Sequence, residues 1–124
     1  MNKWVLLQHE IARPDLVEIH YDFLVENGKD CLTWKIFELP QINGPSIEII
    51  KQVNHRLIWL FREQYTLSNS RGQVQRKDYG TYSLVGDFFD EDDFSLILNG
   101  KIFNGILKKN FNLCKLVSHN KLKI

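Results

Sequence analysis

At 124 residues and 14.7 kDa, with 44% hydrophobic and 25% charged residues, the chain has the size and composition of one globular domain spanning 1–124. Its formal net charge of +1 gives no general steering towards nucleic acid. Cys31 and Cys114 stand too far apart for a disulfide framework or thiolate metal site, which points to reduced, buried thiols in a cytoplasmic protein; the first apolar run is too short for a signal peptide and no segment has the length of a membrane span.

Trp4–His9 predicts a strand ending in a polar pair, and Pro14 interrupts the connection that follows. A second strand is expected from Glu18 to Glu26, turned at Asn27-Gly28 into an antiparallel partner from Cys31 to Leu39. Pro40–Pro45 reads as a loop. Ser46–Asn54 combines a helix-capping serine with β-branched residues, and the lack of a long apolar stripe at helical period favours a strand. Arg56–Phe61 fits a central strand or a short buried helix. Asn69–Gly72 and Lys77–Gly80 carry turn chemistry. Strands at Thr81–Val85 and Phe94–Leu98 bracket Asp87, Asp90, Glu91, Asp92 and Asp93, a solvated acidic loop without the spaced ligands of a calcium site. Asn99-Gly100 predicts a hairpin into Lys101–Phe103, Gly105 a bulge or relief of crowding, and Phe111–Val117 a closing strand. Short strands joined by Gly and Asn turns predict a mainly β fold, a compact antiparallel β-barrel with short helical or irregular connections.

Polar groups that carry chemistry concentrate in His20-Tyr21-Asp22-Phe23. In an extended strand His20 and Asp22 share a face about 6.6 Å apart, where they form either an ordinary polar surface or half of a metal site. If the first two strands pair, His9 approaches that face, and His55 reaches it from a third strand. Two imidazoles and a carboxylate suit Mn²⁺, Zn²⁺ or Fe²⁺ with positions left for water and substrate oxygen. Taken singly, each histidine is a surface or packing residue, and His119 lies in a polar tail. No nucleophile elbow, phosphate-cradling glycine loop or RNA-binding aromatic motif occurs. Arg56, Arg62, Arg71, Arg76 and Lys77 are available to meet phosphate, Arg56 and Arg76 being the nominated contacts; Trp4, Trp34 and Trp59 read as core and pocket walls. The lysines from Lys101 to Lys123, with no acidic residue among them, suit a polyanionic partner.

Leu7-Gln8-His9, His20–Phe23, Trp34 with Pro40–Ser46, Val53-Asn54-His55, Asp78-Tyr79-Gly80 and Phe94–Gly105 together resemble, in order, the 3'-phosphoesterase domain associated with bacterial ATP-dependent DNA ligase D. The resemblance implies a compact β-barrel with a polar cavity. It also implies metal ligation by His9, His20 and Asp22, with Mn²⁺ favoured and Zn²⁺ as the alternative, and a phosphate-engaging catalytic role for His55 beside His20 and Asp22. The reaction implied is DNA repair at DNA or RNA–DNA 3' ends, converting a 3'-phosphate or 3'-ribonucleotide to a 3'-hydroxyl for a ligase or polymerase acting in trans. Several positions depart from that family. Leu24 replaces an arginine, the Glu10–Ile19 connection is longer, no arginine matches near Ile47, Arg56 replaces a proline, and Tyr79-Gly80-Thr81-Tyr82 replaces Tyr-Gly-Ala-Gly. These departures leave two alternatives: a weak or inactive barrel that binds nucleic-acid ends or a repair protein, and an unrelated β protein for an acidic metabolite.

Overall fold

The computed structural model describes residues 2–68, 70–87 and 89–119. Nine strands run β1 (Lys3–Ala12), β2 (Val17–Asn27), β3 (Asp30–Ile36), β4 (Ile47–Arg56), β5 (Gln64–Thr66), β6 (Gln73–Leu84), β7 (Asp93–Gly100), β8 (Asn104–Asn110) and β9 (Leu113–Val117), with a 3-10 turn at Leu57–Leu60. All pair antiparallel in the order β1-β2-β3-β4-β9-β8-β7-β6-β5, and β1 also meets β6.

The mainly β expectation holds, but the compact antiparallel β-barrel is corrected. What forms is a nine-stranded sheet, curled so that β1 reaches β6 but not zipped into a regular barrel. The β4–β9 seam consists of two residue pairs, Ile47↔Cys114 and Glu48↔Leu113. Beyond the Ile49 N–H donated to Asn112 O, that edge of β4 carries no strand partner among the described residues. The second irregular edge is on β6, which pairs β5 through Gln73–Gln75 and β7 only from Gly80 onward.

The sheet is covered on both faces where β1, β2 and β3 meet. On the concave face Trp4, Leu6, Phe23, Val25, Trp34 and Ile36 pack against Leu96, Leu98, Leu107 and Leu116. On the convex face Val5, Leu7, Leu24, Cys31 and Val74 are capped by Leu60, with Leu57 and Trp59 beside it. Trp4–Leu7 and Phe23–Val25 are therefore buried without interruption, and hydrophobic alternation disappears there because neither face meets water. The concave face is an apolar core, which corrects the polar cavity implied by the family resemblance.

Asp78 fixes the far end of the curl. It is 1% exposed, and its carboxylate accepts hydrogen bonds from the backbone N–H groups of Tyr79, Lys101, Ile102 and Phe103. The stretch Lys77–Gly80, expected as a turn, lies within β6. Lys77 is the extra residue of a β-bulge, since Leu6 pairs Asp78 while Leu7 pairs Arg76. Gly80 belongs there because a Cβ would collide with the Asn99 carbonyl on β7. The predicted strand at Lys101–Phe103 is instead the loop bound by Asp78, and β8 starts at Asn104. The Arg56–Phe61 run becomes the 3-10 turn. β5 was not anticipated, because three exposed residues carry no apolar pattern. Asn69 of the predicted Asn69–Gly72 turn and Lys121 and Lys123 of the lysine-rich stretch lie outside the described residues.

Candidate metal centre

The long connection around Pro14 does not separate the first two histidines. It closes a hairpin in which Ala12↔Val17, Ile11↔Glu18 and Glu10↔Ile19 lead to His9↔His20. Arg13 N–H to Leu16 O at 2.8 Å and an Arg13–Glu18 ion pair hold the turn. Since the β1–β2 register is unbroken, Val5, Leu7 and His9 share the convex face with Leu24, Asp22 and His20. The cluster thus continues the convex core.

His9 Nδ1 lies 3.2 Å from His20 Nε2, and His20 Nε2 lies 3.4 Å from Asp22 Oδ1. One donor atom from each of the three falls within 4.8 Å of the others, and His20 and Asp22 are buried while His9 is partly exposed. Two donors bound to one ion at about 2.1 Å, at tetrahedral or octahedral angles, stand about 3.0–3.4 Å apart. The cluster is thus able to coordinate a divalent metal ion, with entry from the His9 side.

The His9 tautomer follows from its other contact. Nε2 is 2.7 Å from the Arg71 carbonyl, which only accepts, so Nε2 carries the hydrogen and Nδ1 keeps its lone pair towards His20 and Asp22. The Arg71 carbonyl is aimed by a tight loop. Leu67 N–H donates to Gly72 O, Arg71 N–H to Ser68 O, and the Arg71 guanidinium to Ser68 O and Oγ. Gly72 has φ of +103°, and a Cβ there would run into the Glu10 carbonyl, so only glycine lets the loop lie this close to β1.

No protein-family model matches the chain, and no curated protein matches it.

The structure brings His9, His20 and Asp22 together and leaves the other nominated residues elsewhere. His55 pairs with Cys31, which lies opposite Glu26, six positions along β2 from His20. That is roughly 20 Å at about 3.3 Å per residue. The His55 ring instead contacts its own strand through Val53 O at 3.1 Å. Arg56 sits at the same distant end, opposite Asp30. Arg76 is on the convex face next to Leu7, but it is paired with Glu63 at 3.2 Å and stacked 3.8 Å over Tyr79. Leu24, where the resemblance would have an arginine, is fully buried under Leu60.

Three contributors had escaped the sequence. The Arg71 carbonyl has no residue signature, and Gly72 signalled only a turn. Lys35 pairs directly across from Asp22 and so shares the cluster's face, half-buried and without an ion pair among the described residues. Alternation within β3 already separates Lys35 from Trp34 and Ile36, but its neighbour becomes known only with the register.

Proposed function

We propose that the protein is a divalent-metal-dependent phosphoesterase acting on 3'-phosphate or 3'-ribonucleotide ends of DNA, with Mn²⁺ the favoured ion and Zn²⁺ the alternative. The observation that carries the metal-dependent reading is the convergence of His9 Nδ1, His20 Nε2 and Asp22 Oδ1 on one point of the convex face. The 3'-end specificity is supported by the resemblance in residue order described above.

The ion, when held by His9, His20 and Asp22, supplies Lewis acidity towards a phosphoryl oxygen and a bound water. The chain's residues do the positioning. The Arg71 carbonyl fixes the His9 ring, burial beside Leu24 restrains His20 and Asp22, and Lys35 offers an ammonium to a phosphoryl oxygen that Asp22 does not face. Hydrolysis joins a water oxygen to phosphorus and breaks the bond from phosphorus to O3', which leaves as a hydroxyl with a proton from that water. Incubating a 3'-phosphorylated oligonucleotide with the protein and Mn²⁺ is expected to give the 3'-hydroxyl product, and His20→Ala and Asp22→Ala to abolish it. Absence of turnover by the wild-type protein with both Mn²⁺ and Zn²⁺ would count against the proposal.

A second reading is a metal-loaded protein that binds such ends without cleaving them. It is favoured by the buried Leu24 and the remote His55 and Arg56, so that the arginine and third histidine implied by the resemblance do not reach the cluster. Binding without product distinguishes it.

A further inference from the structure

The strap that crosses the convex face after β4 carries a feature that the metal cluster does not explain. The Arg62 guanidinium is held between two rings, 4.6 Å from the centroid of Trp59 and 4.0 Å from that of Tyr65. The rings meet edge to face at 5.4 Å and 83°. No carboxylate pairs with Arg62 among the described residues, whereas Arg76 is neutralised by Glu63. A guanidinium stacked on aromatic faces is fixed in plane by cation–π attraction, and its N–H fork stays available to an outside acceptor.

The register connects this cation to the metal cluster. Tyr65 pairs with Val74, Val74 with His9, and His9 with His20, so all four lie in one row on one face. Two strand spacings of about 4.8 Å put Tyr65 on the order of 10 Å from His9. A chain carrying phosphates at regular intervals, and bases able to stack on a ring such as the 43%-exposed Tyr65, fits that spacing and chemistry.

We propose that Trp59, Arg62 and Tyr65 form a subsite that grips the backbone of a single DNA strand leading into the His9–His20–Asp22 centre. This rests on the reading of that centre as one that processes DNA ends. Arg62 holds a phosphate through its N–H fork while Trp59 and Tyr65 set its plane, and the exposed part of Tyr65 offers ring surface to a base.

The test is binding of a fluorescently labelled, 3'-phosphorylated single-stranded oligonucleotide in EDTA, so that it does not depend on turnover or on metal. Affinity is followed between about 50 and 200 mM salt. Arg62→Gln is expected to weaken binding about five- to tenfold and to flatten the salt dependence by about one unit of slope, with Mn²⁺ affinity unchanged and the melting temperature lowered by only a few degrees through the two lost cation–π contacts. Arg62→Lys, which keeps the charge but not the planar fork, is expected to restore the slope and only part of the affinity. Wild-type binding that Arg62→Gln leaves unaltered would overturn the subsite, as would an absence of binding at the lowest salt. Displacement of the strand by poly-glutamate as readily as by unlabelled DNA would also overturn it. A protein that binds in this way yet never turns over would refute the phosphoesterase reading while leaving the subsite standing.

Discussion

Asp78 and Asp22 are both buried carboxylates on strands that pair with β1, yet the chain treats them in opposite ways. Asp78 accepts four backbone N–H groups and ties the loop between β7 and β8 to β6. Asp22 accepts none among the described residues, and its polar neighbour is the His20 ring at 3.4 Å. A carboxylate whose oxygens are satisfied by amides is held for the fold. One buried at 9% exposure beside two imidazoles, with no backbone amide donating to it among the described residues, is able to take a cation. The difference separates a cluster able to coordinate a metal on the convex face from a stabilising tie at the end of the curl.

Asp78→Ala breaks this comparison most severely. It leaves four amides without their acceptor, and the expected loss is about 4 kcal/mol of stability, measured by denaturant unfolding. Asp22→Asn is expected to change metal-free stability by less than about 1 kcal/mol, while lowering affinity for Mn²⁺ on the order of a hundredfold. Equal stability losses in the two variants would erase the distinction.

Gly72→Ala sharpens it from the loop side. A methyl group there meets the Glu10 carbonyl and forces the Arg71 carbonyl off His9, so metal affinity is expected to fall about tenfold along with some stability. A Lys35→Gln variant should keep both metal binding and stability while weakening inorganic phosphate binding to the metal-loaded protein about threefold, the value of one partly solvated charge contact.

The thiols provide a pH test of the cores flanking the site. Burial is the first cause that pushes Cys31 up to about 11 and Cys114 up to about 12. The folded chain then keeps protons that the unfolded chain releases above 9.0, so their contribution to stability is intact below 9.0 and is lost as pH rises through about 11 to 12. Lys109, whose ammonium burial pushes down from 10.5, works in the opposite direction. The alkaline fall in melting temperature should therefore be shallower in Cys114→Ala than in the wild type.

The ligand set was legible because it depends on few things. Asn27-Gly28 forecast the β2–β3 pairing, and His9 was set against His20 on the condition that the first two strands pair, which the hairpin closed between Ala12 and Val17 meets. The rest depended on register between distant strands. His55 was nominated as reaching the face of His20 and Asp22 from a third strand and by the resemblance, but β4 presents Ile50, not His55, beside Lys35 at the level of Asp22. Lys77–Gly80 has turn composition, and the bulge at Lys77 together with the close approach of β7 at Gly80 accounts for it within a strand. The barrel was inferred from short strands joined by Gly and Asn turns and from the need to protect edges, whereas closure turns on the β4–β9 seam, where two residue pairs are all that form among the described residues. Trp59 was assigned to the core by residue type. The structure does set it against the convex cluster, but it also turns its ring to Arg62.

The most direct test of the central claim is calorimetric titration of Mn²⁺ into the wild-type protein and into Asp22→Asn under identical conditions. Saturable binding of one ion per chain in the wild type, lost in the variant with the fold intact, is the predicted result. Absence of saturable binding, or the same isotherm for both proteins, would contradict the assignment of His9, His20 and Asp22 as a metal centre.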